Sequence, residues 1–228
     1  LGDSMPCPAF VAGHSLGEYT AAVASKALSF ADGLQLVRKR GELMQTAGEM
    51  TPSGMIAVIG ISLEDIREIC GSTGVQLANL NSPGQYVIAG PLPALDEAMG
   101  IAEVRGARRI IRLDVSGGFH SEVMRPAQEG LNEALMLVDF RQPRTPVIGN
   151  TTGRPTMTAD EIREELAQQL CSCVMWQASV QYMVASGVTR FVEIGPGNVL
   201  TGLVKRITPE VETITVGDLD AVEILKVS

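Results

Sequence analysis

Met55-Ile56-Ala57-Val58-Ile59-Gly60 is an apolar run of strand length, and Ser62-Leu63-Glu64-Asp65 follows it with the chemistry of a helix start. A hydroxyl at Ser62 can accept one of the backbone N–H groups that have no partner inside the helix. Glu64 and Asp65 set negative charge against the positive end of the helix dipole. Ile66, Ile69 and Cys70 share one face, and Gly71 or Gly74 supplies the stop. Working outward, Val75–Asn79 and Gln85–Ala89 are β-type runs on either side of Leu80-Asn81-Ser82-Pro83-Gly84, whose Pro-Gly pair signals a turn. They read as a hairpin. A second helix is expected from Pro93 to Met99, extending towards Val104, and Gly106 leads from it into a strand over Arg108–Val115. The order βαββαβ is that of a ferredoxin-like unit of about 60 residues.

The flanks follow another rhythm. Pro8–Gly13 reads as a strand that turns tightly into an Ala-rich helix over Glu18–Ala27, followed by a helix over Ala31–Met50. Beyond the central unit, a helix is expected over Ser121–Leu137, a strand over Thr145–Gly149, and helices over Asp160–Leu170 and around Val180–Ser186. The strand Arg190–Ile194 then meets Gly195-Pro196-Gly197 and a helix to Arg206. Strands alternating with helices imply a parallel sheet covered on both faces, with the central unit inserted into it. The expected division is residues 1–52 and 117–228 as a larger α/β catalytic subdomain, with residues 53–116 as the ferredoxin-like insert.

A chain of 228 residues, 45% hydrophobic and 19% charged, can bury a core without covalent staples. Cys7, Cys70, Cys171 and Cys173 form no CxxC pair, and His14 and His120 are the only histidines, so structural zinc and a disulfide framework are both disfavoured. Reduced thiols point to a cytoplasmic setting. The net charge of −8 provides no general field for a nucleic-acid backbone. No apolar run approaches the roughly 20 residues of a membrane helix. The chain opens on Leu1 and enters a strand almost at once, so an N-terminal portion is expected to be missing.

Gly13-His14-Ser15-Leu16-Gly17 is a G-x-S-x-G sequence between an expected strand and an expected helix. Flanking glycines permit a sharp turn that projects the serine Oγ from the carboxyl edge of the sheet, with the following N–H aimed at a developing oxyanion. The bland alternative is a glycine-rich strand-to-helix turn. A serine nucleophile needs a base, and histidine suits neutral pH. His14 adjoins Ser15 on the turn and is read as a pocket or packing residue, which leaves His120, after Gly117-Gly118-Phe119 at the entrance to a helix. Helix-terminal charge there would keep the imidazole neutral. Arg38-Lys39-Arg40 offers cations that either grip a carboxylate or form a solvated basic face; periodicity alone does not choose.

Taken together with Glu18-Tyr19, Arg40-Gly41, Asn81-Ser82-Pro83-Gly84-Gln85, Phe119-His120-Ser121, Gln169-Leu170, Trp176 and Glu193-Ile194-Gly195-Pro196-Gly197, the chain resembles the bacterial malonyl-CoA:acyl carrier protein transacylases over essentially its whole length. The resemblance implies an α/β fold: a hydrolase-like parallel sheet flanked by helices, N-terminally incomplete, with the inserted ferredoxin-like subdomain. It further implies a Ser15–His120 dyad, Leu16 N–H as an oxyanion donor and Gln169 orienting His120. Arg40, His14, Phe119 and Asn81 become substrate-binding residues, with Arg40 on the malonyl carboxylate and Phe119 marking the malonyl-selective form of the motif.

The implied partners are malonyl-CoA, as substrate, and an acyl carrier protein; no further cofactor or metal is implied, and the chain is expected to act as a monomer in the cytoplasm. Because carriers are acidic, Arg108, Arg109, Lys205 and Arg206 are the docking candidates, with ordinary surface charge as the alternative. The resembling proteins carry about 80 further N-terminal residues, including a glutamine that supplies a second oxyanion donor; loss of one such donor typically costs about 10²–10³ in rate, so weak activity is expected of these 228 residues alone. Val216-Gly217-Asp218-Leu219-Asp220 resembles the tail of free-standing enzymes rather than a polyketide synthase domain. A serine hydrolase or thioesterase with the same turn, and a non-catalytic carrier-binding fragment, remain competing readings.

Overall fold

The computed structural model describes residues 7–218, 220 and 221, so Leu1 and Leu219 of the opening and closing stretches lie outside the described residues. In chain order, β1 (Val11–Ala12), α1 (Leu16–Ala24) and α2 (Phe30–Met50) precede a central unit of β2 (Ser53–Ile59), α3 (Leu63–Thr73), β3 (Gln76–Ser82), β4 (Gln85–Pro91), α4 (Leu92–Val104) and β5 (Arg109–Arg112). There follow α5 (Arg125–Met136), β6 (Val147–Ile148), β7 (Pro155–Thr156), α6 (Ala159–Gln169), α7 (Trp176–Ala185), β8 (Arg190–Ile194), α8 (Val199–Ile207) and β9 (Glu212–Val216).

The central unit has the sheet order β3-β4-β2-β5, every neighbouring pair antiparallel, which is the ferredoxin-like arrangement. Ser62 caps α3: its Oγ accepts the Asp65 N–H while the Asp65 carboxylate accepts the Ser62 N–H. Gly74, at φ 77°, ends the same helix where a side chain would be strained. Alternation along β2 divides its side chains between two cores. Ile56 and Val58 meet Ile66 and Ile69 of α3 and Leu95 of α4, whereas Met55 and Ala57 face Leu113, Val115 and Phe119 on the opposite side of the sheet.

The larger part packs α2 on α5 and α5 on α6 through Leu36, Met44, Leu131, Leu135, Ile162 and Leu166. A further core joins α7 to α8 through Trp176, Val180, Met183, Leu203 and Val204. The expected parallel sheet is realised in two patches. One pairs β1 with β6 in parallel and β6 with β7 antiparallel; the other pairs β8 with β9 in parallel, and no strand ladder joins the patches among the described residues.

Several boundaries differ from the sequence expectation for identifiable reasons. The hairpin is tighter than expected, since β3 runs on to Ser82 and only Pro83-Gly84 connects it to β4, with Gly84 at φ 70°. Irregular registers near Leu77–Asn79 and Leu80–Ser82 absorb the additional residues. The helix expected over Ser121–Leu137 starts at Arg125, where Pro126 fits the first turn, and is preceded by a 3-10 turn over Glu122–Met124. The expected helix around Val180 starts earlier, at Trp176, with no side-chain cap to announce it. The strand expected over Arg108–Val115 pairs only across Arg109–Arg112, although Leu113 N–H still donates to Met55 O.

Candidate active site

The turn between β1 and α1 is forced by contact rather than by composition alone. A Cβ at Gly13 would lie 2.0 Å from Gly17 O, so only glycine fits there, whereas a Cβ at Gly17 would meet nothing within 4 Å. Of the two flanking glycines, the first is therefore the steric requirement. Between them Ser15 adopts φ 53°, ψ −108° at the N-cap of α1. Holding a non-glycine residue in such a conformation costs on the order of 1–3 kcal/mol. Among the described residues, the Leu16 N–H of the first turn has no hydrogen-bond acceptor, which leaves a donor at the positive end of the helix.

Ser15 Oγ lies 2.8 Å from His120 Nε2, although 105 residues separate them. The other ring nitrogen, Nδ1, is 2.9 Å from Gln169 O. A carbonyl only accepts, so Nδ1 carries the proton, Nε2 is the bare acceptor, and Ser15 O–H donates to it. The imidazole is 4% exposed and its pKa is pushed down to about 4, chiefly by burial. The helix-terminal explanation expected from sequence does not apply: the residues after His120 form only a three-residue 3-10 turn, and desolvation supplies the neutrality.

Helical phase separates the three basic residues of α2. Arg38 points outward to pair with Glu42, and Lys39 is exposed, while Arg40 is 4% exposed and donates from Nη2 to Ser15 Oγ at 2.9 Å and to Gln169 Oε1 at 3.1 Å. Its guanidinium carbon sits 5.7 Å from the centre of the Tyr19 ring, and its buried Nε has no hydrogen-bond partner among the described residues. Burial lowers its pKa, yet an arginine keeps its charge in proteins. Among the described residues no carboxylate forms an ion pair with it.

His14 turns away from Ser15 Oγ. Its Nε2 is 2.9 Å from Asn81 Oδ1, its ring centre is 5.7 Å from that of Trp176, and burial lowers its pKa. Asn81 lies on β3, not in the turn, and engages His14. Phe119 packs against both the α2–α5 core and the core behind β2, spanning the joint between the two parts of the molecule. Arg108, Arg109 and Arg206 converge on a cavity of about 450 Å³ beside the Pro83-Gly84 turn, where Arg206 also donates to Gln85 Oε1. Lys205 is exposed on α8 next to Arg206 and does not line that cavity.

Sequence reasoning named Gln169 but missed Asn150 and Glu18, which complete a buried polar set around the turn. Asn150 accepts the Ser15 N–H and donates to Gly13 O, and its own N–H donates to Glu18 Oε1. Gln169 Nε2 donates to Ser15 O and to the other Glu18 oxygen. Burial first, then repulsion from Glu165, raises the Glu18 carboxyl well above its ordinary value, against the pull of its donors and of Arg40. A signal for Asn150 existed: it comes just after β6, which runs parallel to β1, and residues beyond the carboxyl ends of adjacent parallel strands converge. Among the described residues no group of three or more His, Cys, Asp or Glu is arranged to hold a metal ion.

Comparison with known proteins identifies the family. Residues 2–219 match the family described as the acyl transferase domain. The malonyl CoA-acyl carrier protein transacylase of Bacillus subtilis is 44% identical over 95% of this chain and 70% of its own length. An acyl carrier protein S-malonyltransferase from Vibrio cholerae superimposes with a TM-score of 0.93 at 38% identity, covering 97% of this chain and 74% of that one. A malonyl transacylase solved with its type II PKS acyl carrier protein does so with a TM-score of 0.91 at 37% identity, covering 96% and 72%. With a domain match across nearly its full length and relatives of this similarity, the chain belongs to the acyl transferase domain family and, within it, to the malonyl-CoA:acyl carrier protein transacylases.

Proposed function

We propose that the chain transfers a malonyl group from malonyl-CoA to the phosphopantetheine thiol of an acyl carrier protein through an ester on Ser15. The observation that carries this reading is Ser15 Oγ held between His120 Nε2 and the buried Arg40 guanidinium. Ser15 Oγ attacks the thioester carbonyl as its proton passes to His120 Nε2. The C–S bond then breaks, and the departing CoA sulfur takes that proton. In the second half, His120 accepts the proton of the carrier thiol, whose sulfur attacks the ester and returns Oγ to Ser15 as the hydroxyl. The Leu16 N–H serves the oxyanion in both halves, and Gln169 O holds the imidazole in the tautomer that accepts at Nε2.

Arg40 explains the choice of acyl group. A buried guanidinium that has, among the described residues, no partner at Nε and no carboxylate in ion-pair contact favours an acyl chain that brings its own carboxylate. Phe119, fixed between two cores, shapes the floor for malonyl, and the His14–Asn81 pair forms a wall of the same site. The Arg108–Arg109–Arg206 cavity, with Lys205 beside it, is the local cationic patch that a carrier needs on a chain of charge −8. Malonyl-CoA enters as a substrate, and the chain acts as a cytoplasmic monomer.

Intact-protein mass spectrometry after exposure to malonyl-CoA tests the reading. One malonyl adduct is expected on the parent, absent from Ser15→Ala and discharged by a pantetheine thiol. Prompt release of free malonate without an adduct would make the chain a hydrolase instead.

A further inference from the structure

The Ser15 turn is gripped from outside its own segment by one carboxamide. Asn150 Oδ1 accepts the Ser15 N–H at 2.7 Å, and Asn150 Nδ2 donates to Gly13 O at 2.7 Å, so a single side chain ties the nucleophile to the residue that opens the bend. Asn150 is 1% exposed and is itself anchored, its backbone N–H donating to Glu18 Oε1 at 3.0 Å. The second Glu18 oxygen accepts from Gln169, whose backbone carbonyl holds His120. Ser15 sits at φ 53°, where a side-chain-bearing residue stays only if its surroundings hold it.

We propose that Asn150 is a positioning residue for the nucleophile. Its carboxamide keeps the strained turn in the conformation that delivers Oγ to His120 Nε2, and through Glu18 and Gln169 it links the placement of the serine to that of the base. The inference rests on Ser15 being the nucleophile, and the test separates the two claims. A fluorophosphonate reacts with an activated serine whatever its natural substrate: Oγ bonds to phosphorus, fluoride leaves, and the hydroxyl proton passes to the base.

In the full chain, Asn150→Ala should lower the maximal rate of phosphonylation by about tenfold to a hundredfold, as expected when a strained turn relaxes, with the half-saturating reagent concentration changed by less than about twofold. Thr156→Val serves as the control for folding, since it removes a buried hydrogen bond to Val147 O without touching the turn, and should leave both constants unchanged. Asn150→Asp adds a pH signature. A protonated Asp carboxyl can accept from Ser15 N–H and donate to Gly13 O, while the ionised form cannot donate.

Burial and the facing carboxyls of Glu18 on α1 and Glu165 on α6 favour the protonated form of that Asp. Arg40 on α2 favours the charged one, and the His14 and His120 imidazoles, both lowered, stay neutral. The rate of Asn150→Asp relative to the parent should therefore fall as pH rises from about 6 to about 9. An Asn150→Ala rate equal to that of Thr156→Val, or an Asn150→Asp ratio that does not fall with pH, overturns the proposal while leaving the nucleophile in place. A parent that does not react at Ser15 removes both.

Discussion

In the central unit, β2 buries Ile56 and Val58 against α3 and α4 and Met55 and Ala57 on its other face, so that sheet is held by apolar contacts on both sides. The Ser15 turn is held almost wholly by polar ones: Asn150, Gln169, His120 and Arg40 reach it across separations of 135, 154, 105 and 25 residues. Apolar contact is non-directional and forgiving of small shifts, whereas each buried hydrogen bond fixes a direction and is costly to leave unmade. The difference teaches where stability and chemistry are stored. Truncations in the first region should cost stability and spare rate, whereas truncations in the second should cost rate.

The largest effect expected on the polar side comes from His120→Ala. Removing the bare Nε2 should slow acylation of Ser15 by malonyl-CoA about 10²–10⁴-fold, read by rapid quench, while circular dichroism stays native. Next comes Arg40→Ala. Loss of the buried guanidinium should reduce the preference for malonyl-CoA over acetyl-CoA by about a hundredfold, because the neutral chain no longer leaves a cation unpaired. If the preference is unchanged, Arg40 serves the turn alone. On the apolar side, Ile88→Ala in β4, where the side chain is fully buried, should cost about 2–5 kcal/mol in urea unfolding and leave the rate per folded molecule within about twofold. A rate loss comparable to that of His120→Ala would erase the distinction between the two regions.

Legibility in the sequence divides along the same line. Ser62, Asp65 and Gly74 act within one helix, and the alternation of β2 is a period-two pattern, so the central unit was legible from local signals. The turn at Ser15 was legible as a motif, and His120 by elimination, since only one other histidine exists and it adjoins Ser15. Periodicity could not tell Arg40 from Arg38 and Lys39, because adjacent residues on a helix differ only in phase until the buried face is known; only the family resemblance singled it out. Asn150 and Glu18 were missed for a stronger reason. Their partnership depends on the parallel register of Val11 with Val147 and Ala12 with Ile148, a pairing that no local pattern encodes. The cavity of Arg108, Arg109 and Arg206 likewise needs β5 and α8 to meet at the Pro83-Gly84 turn.

A buried, neutral imidazole takes the Ser15 proton in the mechanism proposed for this chain, and the pH dependence of acylation measures that step most directly. Only the unprotonated ring can accept, so the rate follows the neutral fraction of His120. With the pKa pushed down to about 4, the rate of malonyl ester formation on Ser15 should stay flat as pH falls from 7 to about 5 and decline only near 4. A decline centred on the ordinary value of 6.5 would contradict the claim that burial holds the accepting imidazole neutral.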